Sequence, residues 1–174
     1  SSMSESQKLA YESRMLIDGE LVEAQDGRTY ENLNPATEEV IGAVADATAA
    51  DMGRAISAAR RAFDESDWST NRELRSRCLR QLQEALGKHR EELRPQVIGE
   101  AGAPLQLTYA VQQDSCIEDM TWDIEVAEKY QWERELGVHE FFGMKSNRVV
   151  IHEPVGVAGL ITPWNFPFML NLSK

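Results

Sequence analysis

Val155-Gly156-Val157-Ala158-Gly159-Leu160-Ile161-Thr162-Pro163-Trp164-Asn165-Phe166-Pro167 lies near the end of a 174-residue chain, and its reading decides the fold. The glycine-spaced apolar run through Ile161 predicts a buried strand, and the proline-bracketed stretch after it a stiff loop that feeds a helix. Pro163 and Pro167 each fix a backbone φ. Pro167 suits the first helical position, where its missing N–H has no partner anyway. Phe168, Met169, Leu170 and Leu172 keep that helix apolar. In open α/β sheets ligands bind where such loops leave the C-terminal ends of strands. The Asn165 amide is the kind of donor that can hold a developing oxyanion. The residue pattern alone favours the simpler reading, a proline-bracketed turn with a core Trp164 and with Asn165 capping the helix. Lys174 lies seven residues after Pro167, a spacing that puts both on one helical face; alone it reads as a solvated lysine.

Upstream the chain begins with hairpins. Met15 to Val22 places Asp18-Gly19 between apolar pairs, a strong two-residue turn signal. Thr29–Leu33 and Val40–Val44 flank the turn Asn34–Glu39, where Pro35 favours a turn over a central strand. Thr48 and Asp51 form a capping box that opens a helix. Met52, Ala55, Ile56, Ala59 and Phe63 make its apolar stripe, with Trp68-Ser69 as the break. A second helix is predicted from about Asn71 to Lys88, its stripe carrying Leu74, Cys78, Leu82, Ala85 and Leu86. Past a weak spot at Arg94-Pro95, a short third helix ends at Gly102-Ala103-Pro104, a Gly-then-Pro stop. One long helix is predicted between about Leu105 and Gln131. Ile117, Met120, Thr121, Ile124 and Ala127 line one side, and Trp122, Val126 and Tyr130 the next. From Leu136 the period turns extended, and 137–143 with 144–153 read as a projecting ribbon or as strands folded back on the chain.

Composition excludes several classes. Asp and Glu number 29 against 18 Lys and Arg, a net charge of -11, so neither nucleic acid nor an anionic membrane surface is an expected partner. No window approaches the ~20 apolar residues of a membrane span. The N-terminus has no signal-peptide pattern, and Ser1-Ser2 ahead of Met3 read as a tag scar. Cys78 and Cys116 fall on helical stripes without paired spacing, which predicts free thiols in a reducing cytoplasm. His89, His139 and His152 are too scattered for a metal site.

The run Pro163-Trp164-Asn165-Phe166-Pro167, preceded by His152-Glu153-Pro154-Val155-Gly156-Val157, closely resembles the aldehyde dehydrogenase superfamily. Four further stretches, in the family's order, carry the resemblance across nearly the whole chain: Ile17-Asp18-Gly19-Glu20, Asn34-Pro35-Ala36-Thr37 with Val40-Ile41, the Ala-rich helix ending in Phe63, and Glu100-Ala101-Gly102-Ala103-Pro104. It implies an α/β fold, with N-terminal hairpins and helices packed on the start of a doubly wound parallel sheet. The implied divisions are a flexible N-terminus (1–13), a hairpin and helical part (14–135), an oligomerisation ribbon (136–153) and the start of a Rossmann-like cofactor domain (154–174).

The resemblance also implies roles. Asn165 would donate to the oxyanion, and Lys174 would join a charge relay with a downstream glutamate. Ile161, Thr162, Pro163 and Trp164 would flank NAD or NADP, and Asn32, Leu33 and Glu100 would lie near a monovalent cation. The substrate would be a small-molecule aldehyde, oxidised through a cysteine thioester. The assembly would be a homodimer or homotetramer when full length. The family's nucleophilic cysteine, base segment and ribose-contacting lysine would all lie beyond residue 174. The chain therefore reads as an N-terminal third, inactive alone. The alternatives are a truncated scaffold or dimerisation module, and an acylating member that passes its thioester to coenzyme A.

Overall fold

The computed structural model describes residues 11–174, so the predicted tag scar lies outside the described residues. Two local hairpins open the fold. β1 (Met15–Ile17) pairs antiparallel with β2 (Glu20–Val22) through Asp18 and Gly19, whose φ values of 56° and 80° are both left-handed. That geometry matches the right-handed twist of the strands and explains the Asp-Gly pair. β3 (Thr29–Leu33) pairs with β4 (Val40–Ala45), with a bulge at Asn32/Leu33. Asn34 organises their loop, its side-chain oxygen accepting from the Ala36 N–H at 2.8 Å.

α1 (Ala49–Glu65) starts at the predicted capping box. The Thr48 hydroxyl accepts from the Asp51 N–H at 3.2 Å, and the Asp51 carboxylate accepts from the Thr48 N–H at 2.8 Å. The same carboxylate accepts from the Gln25 N–H at 3.1 Å and the Arg54 guanidinium at 2.6 Å. Asp51 is therefore 1% exposed yet fully engaged, and it ties the end of the first hairpin to α1. Those hydrogen bonds, first from the Thr48 backbone and then from Arg54, hold its carboxyl below the usual carboxylate range. Met52 and Ile56 of the predicted stripe stay exposed, because the short hairpins cover only part of the helix.

After a 3₁₀ turn (Asp67–Ser69), α2 (Arg72–Lys88) is capped by Asn71, whose oxygen accepts from the Leu74 N–H at 2.8 Å. α3 (Arg90–Ala101) runs through Pro95. The predicted weak spot does not break it, although Pro95 lacks the N–H that would bond the Glu91 carbonyl. Gly102 ends α3 at φ 64°, the left-handed cap conformation.

The single long helix predicted over 105–131 is two: α4 (Leu105–Thr108) and α5 (Asp114–Lys129), separated by a turn. The turn is closed by its own backbone, the Gln112 N–H on the Leu107 carbonyl at 2.9 Å, and both its glutamines are buried; Gln113 donates to the Arg90 carbonyl at 2.7 Å. The core lies where α5 packs on α2, around Ile117, Met120 and Ile124, with Val97 of α3 also buried. Burying an isoleucine such as Ile117 stabilises by about 1.5–3 kcal/mol. The second predicted face of α5, Trp122, Val126 and Tyr130, is exposed instead of packed.

Arg94 fastens α3 to α4 and α5. It is 3% exposed and donates to both Asp114 oxygens at 3.0 Å, to Glu91 at 2.7 Å and to the Thr108 hydroxyl at 3.0 Å. Its guanidinium carbon also sits 3.8 Å from the Tyr109 ring centroid. The bonds from Glu91, then Asp114, push its pKa further up, and Arg94 pulls Glu91 down in return.

β5 (Glu133–Phe141) and β6 (Met144–Ile151) form the ribbon, begun three residues earlier than predicted. It turns at Phe142-Gly143, with φ 50° and 73°. Its side chains are exposed almost throughout, Phe142 at 87%. The chain ends with α6 (Pro167–Leu172), Pro167 in its first turn. Val155–Ile161, predicted as a strand, has no ladder. The described sheets are three separate antiparallel pairs, and a parallel partner would have to come from a crossover that these residues do not contain.

Candidate active-site loop

The loop Thr162–Phe166 leaves the unpaired apolar run and enters α6. Its orientation is set from both sides. The Thr162 hydroxyl donates to the Asn171 side-chain oxygen at 3.2 Å, while the Asn171 amide nitrogen donates to the Pro167 carbonyl at 2.7 Å. Across the chain, Gln112 Nε2 donates to the Asn165 main-chain oxygen at 3.3 Å. Neither Asn171 nor Gln112 was singled out from sequence. Asn171 sits four residues after Pro167 on an exposed helix, and Gln112 lies 53 residues away in what reads as a continuous helix.

Asn165 does not cap α6. The cap position belongs to Phe166, with no side-chain cap bond, and no hydrogen bond among the described residues uses the Asn165 amide. The amide is exposed and free to donate. α6 ends at Leu172, so the helical spacing that was to align Lys174 with Pro167 is not realised. Lys174 lies past the helix, exposed, its main-chain N–H on the Asn171 carbonyl at 3.4 Å.

Ile161 is 94% exposed and Trp164 71%, with Pro163 between them also exposed. This is an uncovered apolar wall. It fits the flat face of a nicotinamide or adenine ring.

Behind α6, a cavity of about 220 Å³ opens between α5 and α6, lined by Cys116, Met120, Met169 and Leu172 with Asp119 and Asp123. Cys116 donates to the Val111 carbonyl at 3.1 Å. Burial, then the Asp119 charge, pushes its thiol up, the opposite of what a thiolate nucleophile needs. Cys78 is a half-buried free thiol. The predicted cation residues do meet: Asn32 Nδ2 donates to Glu100 Oε1 at 2.6 Å, bridging β3 and α3, with Leu33 exposed alongside. No cluster of three or more His, Cys, Asp or Glu side chains suited to a metal occurs among the described residues.

These features describe an α/β chain whose one prepared loop presents an amide donor beside an apolar wall. Residues 21–174 match the model of the aldehyde dehydrogenase family, and the chain belongs to that family. It is 34% identical over 158 residues to an aminoacetaldehyde dehydrogenase of Pseudomonas aeruginosa, covering 90% of this chain and 31% of the relative. An Escherichia coli protein named as an NADP/NAD-dependent aldehyde dehydrogenase is 30% identical, covering 95% of this chain and 33% of its own. Among solved structures, a double mutant of Staphylococcus aureus betaine aldehyde dehydrogenase in complex with NAD+ superposes with a TM-score of 0.85 at 32% identity. That match covers 97% of this chain and 33% of that one. The chain thus spans about a third of the length of the relatives it matches.

Proposed function

We propose that this chain is the N-terminal part of an NAD(P)-dependent aldehyde dehydrogenase, with Asn165 as its oxyanion donor. The observation that carries this reading is the uncommitted Asn165 amide, held on a loop whose backbone is anchored from two directions. In the complete protein a cysteine thiolate outside these residues attacks the aldehyde carbon, and the carbonyl oxygen becomes an oxyanion. Asn165 donates to that oxygen, which stabilises the charge where it develops. Ile161, Thr162, Pro163 and Trp164 form a wall that positions the cofactor ring and excludes water from it. The nicotinamide, when bound, supplies the hydride acceptor. Water then cleaves the thioester to release the carboxylate, and Lys174 serves the proton relay of that step. Asn32, Leu33 and Glu100 lie near a structural monovalent cation. The exposed apolar tip of the ribbon, Phe141, Phe142 and Met144, supports assembly into a dimer or tetramer of a cytoplasmic enzyme. No described helix is long and apolar enough to cross a membrane.

The test uses the complete coding sequence, purified and assayed with short aldehydes and NAD+ or NADP+. Reduced nicotinamide and free acid are expected from the complete protein, and none from residues 1–174 alone. Asn165→Ala should lower kcat by roughly 10²–10³-fold. Acyl-coenzyme A as the product would favour the acylating alternative. Absence of any reduced nicotinamide would leave the scaffold.

A further inference from the structure

We propose that Gln112 is a positioning residue that sets the orientation of Asn165, an inference that rests on Asn165 acting as the oxyanion donor. Gln112 is 7% exposed in the turn between α4 and α5. Its bond to the Asn165 carbonyl is the only one, among the described residues, that reaches positions 163–166 from outside the loop and its helix. A carbonyl only accepts, so the amide nitrogen must face it, and this fixes which way the Gln112 amide is turned. The other end, Oε1, is then buried without a donor among the described residues. A leucine or methionine would fill the same space without that orphan acceptor. A buried polar group left half satisfied calls for a reason, and here the reason is what its nitrogen holds.

The neighbouring glutamine makes the contrast. Gln113 is equally buried and its Oε1 likewise has no donor among the described residues, but its amide nitrogen bonds the Arg90 carbonyl at the junction of α2 and α3, far from the loop. Gln112 instead spans 53 residues to the loop. Pro163 and Pro167 fix φ at the two ends of the loop, so the remaining freedom lies in the peptide planes between them. Holding the Asn165 carbonyl removes the rotation that would swing the Asn165 side chain off its target. A donor misplaced by about 1 Å can cost as much as 10²-fold in rate.

The experiment is a double-mutant cycle in the complete enzyme, with Gln112→Met, which keeps the shape and deletes the donor, and Asn165→Ala. Gln112→Met is expected to lower kcat for the aldehyde about tenfold, with KM for the cofactor and the unfolding midpoint unchanged. In the Asn165→Ala background the same change should have no further effect, because its route to the reaction is gone. Gln112→Leu also lacks the donor and should behave like Gln112→Met. A kcat within twofold of the parent for a folded Gln112→Met overturns the proposal, as does a tenfold loss that persists in the Asn165→Ala background. Failure of both Gln112 variants to fold would assign the residue to stability alone and overturn it too. A parent enzyme with no turnover would sink the functional reading itself; an active parent indifferent to Gln112→Met sinks only this inference.

Discussion

Replacing Arg94 with methionine keeps most of the side chain's length and removes its charge. Asp114, at the start of α5, then loses both 3.0 Å bonds from Arg94 and keeps only Arg90, 3.8 Å away, and a 3.4 Å contact from Gln113. Removing one partner of a buried pair costs about 3–5 kcal/mol, because the other charge is stranded. The residual Arg90 contact argues for the lower end, about 3 kcal/mol. At about 2–4 °C per kcal/mol for a chain of this size, the midpoint should fall by roughly 6–12 °C. Thermal and urea unfolding, followed by far-UV circular dichroism, measures this. The double variant Arg94→Met/Asp114→Leu should recover a large part of the loss, since no buried charge is then stranded. Strict additivity of the two single changes, or a loss below about 0.5 kcal/mol for Arg94→Met, would refute the reasoning.

Three further outcomes are expected. Because Asp51 is held below the usual carboxylate range when folded, its contribution is complete above the unfolded value of about 4 and is lost as pH falls below it. Asp51→Asn should therefore flatten the acid limb of stability against pH, and an unchanged limb counts against the cap. Gly102→Ala forces a side chain into φ 64° and brings its Cβ within 3.0 Å of Pro35. It should destabilise by about 1–2 kcal/mol in urea titration, and a neutral result would refute the left-handed cap. Iodoacetamide at neutral pH should label Cys78 before Cys116, read by peptide mass spectrometry, because burial raises the Cys116 thiol. Earlier labelling of Cys116 would contradict its burial.

Features set by neighbouring residues were legible in the sequence. The Asp18-Gly19 turn, the Thr48/Asp51 box and Pro167 at the start of α6 all appear where local chemistry puts them. What escaped depends on partners distant along the chain. Nothing in Ala110-Val111-Gln112-Gln113 breaks a helix by propensity, and the two amides of the observed turn go to Arg90 and Asn165, partners far along the chain. Arg94 read as an ordinary charge before a proline, yet Thr108 and Asp114 bury it. The apolar run before the loop was read from its side chains, whereas a strand also needs a neighbour. Of the site, the loop and Asn165 were visible; the residues that hold its backbone were not.

Val155–Ile161 has one more consequence. An extended apolar segment with unpaired N–H and C=O groups satisfies both needs at once by acquiring a neighbouring strand, and any strand with open edges can provide one. Whether that neighbour belongs to the same molecule or to another copy then becomes a question of concentration. Gly156 and Gly159 weaken the segment's strand preference, and Pro154 and Pro163 punctuate both its ends. The glycine spacing that suggests a buried strand thus also restrains the exposed segment from clumping with other copies.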